Sequence, residues 1–135
     1  MDDFTKQRFQ ALEAAATEGA AQGLKSLFLL NGGACVALLT FVGSASTSQN
    51  LKPEFVPLVE SATKSLICFA VGAGLTVLAM TCAYLTNQAY SSALIDPAKT
   101  DWSEGTRANL GTVVIALAAL VSFFVGITMI ALSLP

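Results

Sequence analysis

The run LFLLNGGACVALLTFVG, from Leu27 to Gly43, decides the fold of this chain, because it reads either as one membrane crossing or as two short pieces joined by a turn. The Asn-Gly-Gly triplet at positions 31–33 is typical of turns. As one helix, however, the uncharged segment 26–44 would be about 28 Å long, close to the roughly 30 Å of a hydrocarbon core. A turn would leave about 15 Å, which is too short to cross. We therefore predict a continuous helix; a re-entrant hairpin, the alternative, would need other protein to cover its unpaired backbone.

Two further apolar runs extend this prediction to the whole chain. Residues 65–86 and 109–133 carry no charge and are long enough to span a bilayer. Pro53 and Pro57 suit the first turn of the second helix, and Asp101 followed by Glu104 resembles a capping box that would start the third helix near Asp101. We predict an all-α fold, an integral membrane three-helix bundle that forms a single domain over 1–135, with spans at 26–44, 65–86 and 109–133 and an N-terminal helical extension over 1–25.

Composition supports membrane lipid as the solvent and excludes several classes of partner. Hydrophobic residues make up 54% of the 135 residues and charged residues only 12%, against about a quarter charged in soluble proteins. The net charge of -2 and seven scattered basic residues provide no positive stripe for phosphates. We therefore expect no nucleic acid partner.

The residue types that carry catalysis are scarce. The chain has no histidine, and its three cysteines, Cys35, Cys68 and Cys82, lie separately in apolar runs that disfavour the thiolate. No Asp, Glu, Lys, Arg or His lies within a predicted span, although proton relays and most coupled pumps require an ionisable group there. We expect no enzyme activity, no catalytic residue, no cofactor and no metal site.

Basic residues predict the orientation. Lys6, Arg8, Lys25, Lys99 and Arg107 lie in the N-terminal segment and the second loop, whereas the first loop holds Lys52 and Lys64. This bias of five against two favours a cytoplasmic N-terminus and a C-terminus outside.

The extension carries an apolar seam at helical spacing. Phe9, Leu12, Ala16, Gly19 and Gly23 recur every three or four residues, and the pattern continues into Leu27, Leu30 and Ala34. The first interpretation is packing against the protein's own second and third helices, and the second is contact with another subunit. Binding to the membrane surface is opposed by the acidic residues of the segment.

Small residues within the spans predict where helices approach one another. Spacings of four place them on one helix face and let backbones come close. The predicted packing residues are Asn31, Gly32, Gly33, Ala37, Ala70, Gly72, Gly74, Ala118, Ser122 and Gly126, with Thr76, Ala79 and Ala83 in the same pattern. Asn31 is interpreted as a clasp between helices, with Thr81, Thr86 or Thr112 as partners, or alternatively as a flexible point or part of a narrow polar path.

The segment LLNGGACVALLTF, followed by two more apolar spans, resembles a loose group of small three-span bacterial inner-membrane proteins that carry an L-N-G-G-A segment. The resemblance implies a bacterial inner membrane and no particular activity. We expect a noncatalytic protein that acts through helix–helix association, as a homo-oligomer or as an accessory subunit with a membrane protein partner. The alternative is a holin-like or effector pore former, although such proteins have a charged C-terminal tail and this sequence ends in Ser-Leu-Pro.

Overall fold

The computed structural model describes residues 3–48, 52–95 and 102–134, and they form three long helices. Helix α1 runs over Asp3–Thr47; a single 3₁₀ turn at Pro53–Phe55 leads into α2, Val56–Ile95; and α3 covers Trp102–Ala131. Each helix is long and apolar enough to cross a membrane. The all-α fold of three membrane-spanning helices is therefore confirmed.

Helix α1 passes through the Asn-Gly-Gly triplet without a break. No glycine in the described residues has a positive φ, so Gly32 and Gly33 use ordinary helical geometry. The Asn31 side chain bonds back to its own helix, since Nδ2 donates to the Leu27 carbonyl at 3.1 Å. This bond removes the local competition with the helix that usually makes Asn-Gly a turn. The predicted continuous helix is confirmed.

Helix α2 is the centre of the structure, with α1 on one flank and α3 on the other. Asn31 of α1 lies against Gly72 and Cys35 reaches Leu66, so the chain direction of α1 opposes that of α2. Tyr90 against Gly105 and Phe69 against Gly126 show the same antiparallel relation between α2 and α3. The N-terminal ends of α1 and α3 therefore lie at the same end of the bundle as the C-terminal end of α2.

The interior follows a seven-residue repeat. In α3 the buried positions Gly105, Thr112, Ala119 and Gly126 are seven apart. In α2 the buried positions alternate in steps of three and four, the spacing of knobs-into-holes packing in left-handed bundles. They are Ala62, Ser65, Phe69, Gly72, Thr76 and Ala79, and the buried Thr86 follows seven residues after Ala79.

The packing is inverted relative to a water-soluble bundle. The largest fully buried side chains are Asn31, Thr76 and Ser65, while large aliphatic and aromatic groups such as Val71, Leu117 and Phe124 are more than half exposed. In water an apolar surface of this kind would drive aggregation, but lipid solvates it at no cost. This pattern is independent of helix length and agrees with a membrane environment.

The predicted helix starts match the structure where it is described. Helix α3 begins at Trp102, next to the predicted Asp101; Asp101 itself and the Glu104 side chain lie outside the described residues, so the capping box is not tested.

In the first turns of α2, Lys64 donates to Glu60 at 2.7 Å, and this bond lowers the pKa of the Glu60 carboxyl.

The extension does not pack on its own chain. Every residue from 3 to 23 is exposed, including Phe4 at 71%, Phe9 at 61% and Leu12 at 63%. The first interpretation of the apolar seam, that it packs against the protein's own α2 and α3, is therefore wrong. The reason is divergence: α1 meets α2 from about Leu24 onward, and its first turns leave the bundle surface.

Candidate functional site

The interface between α1 and α2 is organised around a buried amide. Asn31 has no exposed surface, and its Oδ1 has no hydrogen-bond partner. Within a membrane an unpaired amide oxygen is costly, because neither lipid nor water compensates it. The unpaired Oδ1 of Asn31 is therefore an unfavourable feature of this interface, and the buried Ser65 hydroxyl is a second unpaired group among the described residues.

Gly72 makes room for that amide. A Cβ added at Gly72 would fall on the Asn31 side chain, with Nδ2 only 3.1 Å away and Oδ1 and Cγ closer still. The carbonyl of Gly72 also accepts a bond of 2.8 Å from the buried Thr76 hydroxyl. Gly72 thus serves both helices, since it admits the α1 amide and anchors a hydroxyl of α2.

The partners predicted for Asn31 are not the ones found. Thr81 donates to the Val77 carbonyl at 3.1 Å and is exposed. Thr86 and Thr112 are buried, but they donate to carbonyls one turn earlier in their own helices, at 2.9 and 3.1 Å. The clasp between α1 and α2 is therefore a side chain fitted over a glycine, without an interhelical hydrogen bond from Asn31.

The interface between α2 and α3 combines a hydrogen bond with aromatic packing. Ser122 Oγ donates to the Cys68 carbonyl at 2.7 Å, which joins the two helices directly. Phe69 lies over Gly126, where an added Cβ would come within 2.8 Å of the ring. The Phe69 ring also meets Phe123 edge to face at a centroid distance of 5.5 Å. Gly126 is small because an aromatic ring occupies its side-chain space.

Two weaker polar features complete the interior. Cys35 Sγ points at the Leu66 carbonyl at 3.9 Å, a long thiol bond between α1 and α2. Ser65 is fully buried, and its hydroxyl has no partner. Cys35 lies on α1 and faces α2, and Ser65 is buried on α2, so both belong to the contacts between helices.

The predicted packing residues divide into two groups. Asn31, Gly72 and Gly126 are buried and Ser122 is half-buried, and the structure brings these four into the interfaces of one chain; Gly32 is half-buried, but an added Cβ there would meet no atom within 4 Å. The other five are exposed on the outside of the bundle, so the structure does not bring them into an interface of the single chain, and their role in helix–helix packing stays a prediction. These five are Gly33, Ala37, Ala70, Gly74 and Ala118.

Some interface residues escaped the sequence interpretation. They are Ala62, Ser65, Phe69 and Ala119. The pattern of small residues four apart does not mark these residues. The seven-residue repeat does, since it links Ala62 with Phe69 and Ala119 with Gly126. That repeat was the available signal.

The described surface offers little to a small ligand. The first of two depressions, of about 500 Å³, is lined by residues of α2 alone, and the second, of about 320 Å³, by residues of α3 and the following Leu132. Ligand pockets normally form between elements, where polar groups converge. Within the described residues no group of three or more His, Cys, Asp or Glu comes together.

Comparison of the chain with protein-family models, with curated proteins and with solved structures finds no match. The function proposed below rests on the residues and their geometry.

Removal of the hydrogen bond from Ser122 to the Cys68 carbonyl is expected to reduce the stability of the bundle moderately. We predict that Ser122→Ala destabilises the bundle by about 0.6 to 2 kcal/mol, the range for hydrogen bonds between membrane helices. The measurement is the midpoint of SDS-induced unfolding in mixed micelles, followed by circular dichroism. Thr128→Ala is the matched control, because the exposed Thr128 hydroxyl bonds only within α3. Equal midpoints for the two variants would contradict the role given to Ser122.

Proposed function

We propose that this protein is a noncatalytic membrane protein that acts by associating with other membrane proteins, either copies of itself or a larger assembly in which it is an accessory subunit. The supporting observation is the exposed extension of α1. Every residue from 3 to 23 is exposed, and Phe4, Phe9 and Leu12 are each more than 60% exposed.

The solvent around this segment makes the exposure informative. Exposed leucines along the spans are solvated by lipid, but Phe9 and Leu12 precede the start of the predicted span 26–44 by roughly four to five helical turns. There the hydrophobic effect operates, at about 25 cal/mol for each Å² of apolar surface. A partner that covers Phe9 and Leu12 gains this energy, and the bundle itself does not supply that cover.

We place the protein in a bacterial inner membrane with the N-terminus in the cytoplasm and the C-terminus outside. The support is the excess of basic residues at the bundle end formed by the start of α1 and the start of α3. The extension then projects into the cytoplasm.

The pore-forming alternative is disfavoured by where the polar side chains lie. Asn31, Ser65 and Thr76 are fully buried between helices of one chain. An assembly of such subunits would line a central channel with their outer faces, which are mainly aliphatic and aromatic. Dye entry on induced expression is the direct test, and rapid permeabilisation would favour the pore former.

The association proposal predicts a specific loss. Phe9→Gln together with Leu12→Gln removes the apolar cover from the extension, and we expect the fraction of chains in complexes to fall at least fivefold. The fraction is measured on fluorescently tagged full-length protein in native-membrane nanodiscs, by counting photobleaching steps and by the native mass of each complex.

The matched control introduces the same residue, glutamine, on another face of the extension. Ala14→Gln with Ala21→Gln adds two exposed amides on the opposite side of the extension and is expected to leave the fraction unchanged. If the parent protein is found as single chains with no second protein of any kind, the association proposal is wrong.

A further inference from the structure

Helix α1 has two faces that follow the same repeat but point apart. The inner face carries Leu24, Asn31, Leu38 and Ala45, seven residues apart and all at least partly buried. The second face is exposed throughout, and we call it the outer seam. Its members are Phe9, Leu12, Ala16, Gly19, Gly23, Ser26, Leu30, Gly33, Ala37 and Thr40.

The outer seam has the composition of an interface both in its part outside the membrane and in its part within the membrane. Its cytoplasmic part begins with Phe9 and Leu12, more than 60% exposed. Its membrane part contains Gly33 and Ala37. A Cβ added at Gly33 would meet no atom within 4 Å. No charged residue lies on the seam in either part. The steps of three and four match the a and d positions of a coiled coil.

The membrane restricts the geometry of any copy that docks here. Two chains inserted with the same orientation have parallel α1 helices, and α1 is a single helix from Asp3 to Thr47. An antiparallel pairing of the extensions would require a break in α1. A second copy therefore docks in parallel, and equal positions of the two seams meet.

Charges beside the seam fit this arrangement. With Phe9 at position a and Leu12 at d, Arg8 takes the g position and Glu13 the following e position. In parallel coiled coils, residues at g and e pair across the interface and set partner and orientation. Within one helix these two residues are five apart and do not face each other. Their complementarity is therefore directed at a second chain.

We infer that a second copy of this chain docks on the outer seam, parallel and in register, with Arg8 of each copy paired with Glu13 of the partner subunit. This inference rests on the proposed association and names its partner and surface. Gly33 and Ala37 then allow the two membrane parts to approach closely, which gives a role to predicted packing residues that the single chain leaves exposed.

Disulfide crosslinking in native membranes tests the register. In a background with Cys35, Cys68 and Cys82 replaced by alanine, Ala16→Cys places a thiol on the seam, and oxidation is expected to give mostly dimer. Ala14→Cys and Ala21→Cys are the controls on the far side of the same helix, and they are expected to give at most a tenth as much. A disulfide requires Cα atoms within about 7 Å, so only facing positions react. Dimer at positions 14 and 21 in place of 16 would overturn the inference.

Charge reversal tests the pairing in the native cysteine background. Arg8→Glu or Glu13→Arg alone makes both pairs repulsive, and we expect the dissociation constant of the dimer to rise about fivefold to tenfold, less at high salt. The double variant Arg8→Glu/Glu13→Arg is expected to recover the parent value. Mixing the two single variants is expected to give heterodimers, because every pair is then attractive.

The two proposals fail in different ways. Complexes that keep a native mass above that of one chain but bleach in a single step, while the seam gives no crosslinks and the charge variants behave alike, would overturn the second-copy inference and leave association standing. Such a result would indicate a foreign partner. Chains that remain single in every assay would overturn both.

Discussion

Gly72→Ala is expected to destabilise the junction of α1 and α2 by about 1 to 3 kcal/mol, although alanine is the better helix former. The added methyl has no free space, because the amide of Asn31 already occupies the position of a Cβ at Gly72. The amide cannot swing away without loss, since its Nδ2 is bonded to the Leu27 carbonyl. The measurement is again SDS-induced unfolding in mixed micelles, with helicity as the readout.

Gly74→Ala is the matched control for this experiment. Gly74 lies two residues further along α2, is exposed, and has no atom within 4 Å of an added Cβ. We expect its midpoint to equal or exceed that of the parent protein. If the two alanine substitutions shift the midpoint equally, the clash with Asn31 is not the cause.

A double-mutant cycle separates the clash from a general effect on α2. Asn31→Ala removes the amide and its unpaired oxygen, so Gly72→Ala is expected to cost less in this background by about 1 kcal/mol or more. Additive costs would show that the two residues do not interact.

The fold was predictable because the bilayer limits the possible structures. Three uncharged segments of spanning length leave only helices, since backbone groups in lipid must be paired within the segment. The same rule decided the Asn-Gly-Gly triplet correctly against its usual preference for turns. In water that triplet would have ended the helix, and the local signal alone was misleading.

The interfaces were only partly predictable, for a physical reason. A small residue marks a face that can be approached closely, but it does not say whether a helix of the same chain or another molecule approaches. Gly72 and Gly74 have similar sequence surroundings, yet one is buried under Asn31 and the other is exposed. The choice depends on the rotation of each helix, which the seven-residue repeat of the whole interface determines.

The free extension shows the same limit. Its apolar spacing predicted packing against α2 and α3, but the residues of the seam from Phe9 to Gly23 are exposed. Packing against α2 requires α1 to stay beside it beyond the bilayer, but the inner face of α1 ends near Leu24. A local pattern predicts that a face will be covered, and only the three-dimensional path of the helix shows what is within reach.

The neighbouring alanines of α3 provide the sharpest test of helix rotation, and we expect Ala119→Leu to be the more damaging substitution by about 3 kcal/mol. Ala119 has no exposed surface, whereas Ala118 is exposed. Extra methylene groups in a filled interior force side chains and backbone to shift, at about 1 to 3 kcal/mol and occasionally more. Ala118→Leu adds the same atoms toward lipid, which solvates them without cost.

The comparison distinguishes two interpretations of one sequence. The spacing of four, which links Ala118, Ser122 and Gly126, predicts that Ala118 faces the interior of the bundle. The seven-residue repeat instead places Ala119 in the interior with Gly126. Unfolding midpoints and the yield of folded protein in membranes are measured for both variants. Greater damage from Ala118→Leu in dilute micelles, where single chains prevail, would mean that α3 is rotated by about 100° from the orientation described here.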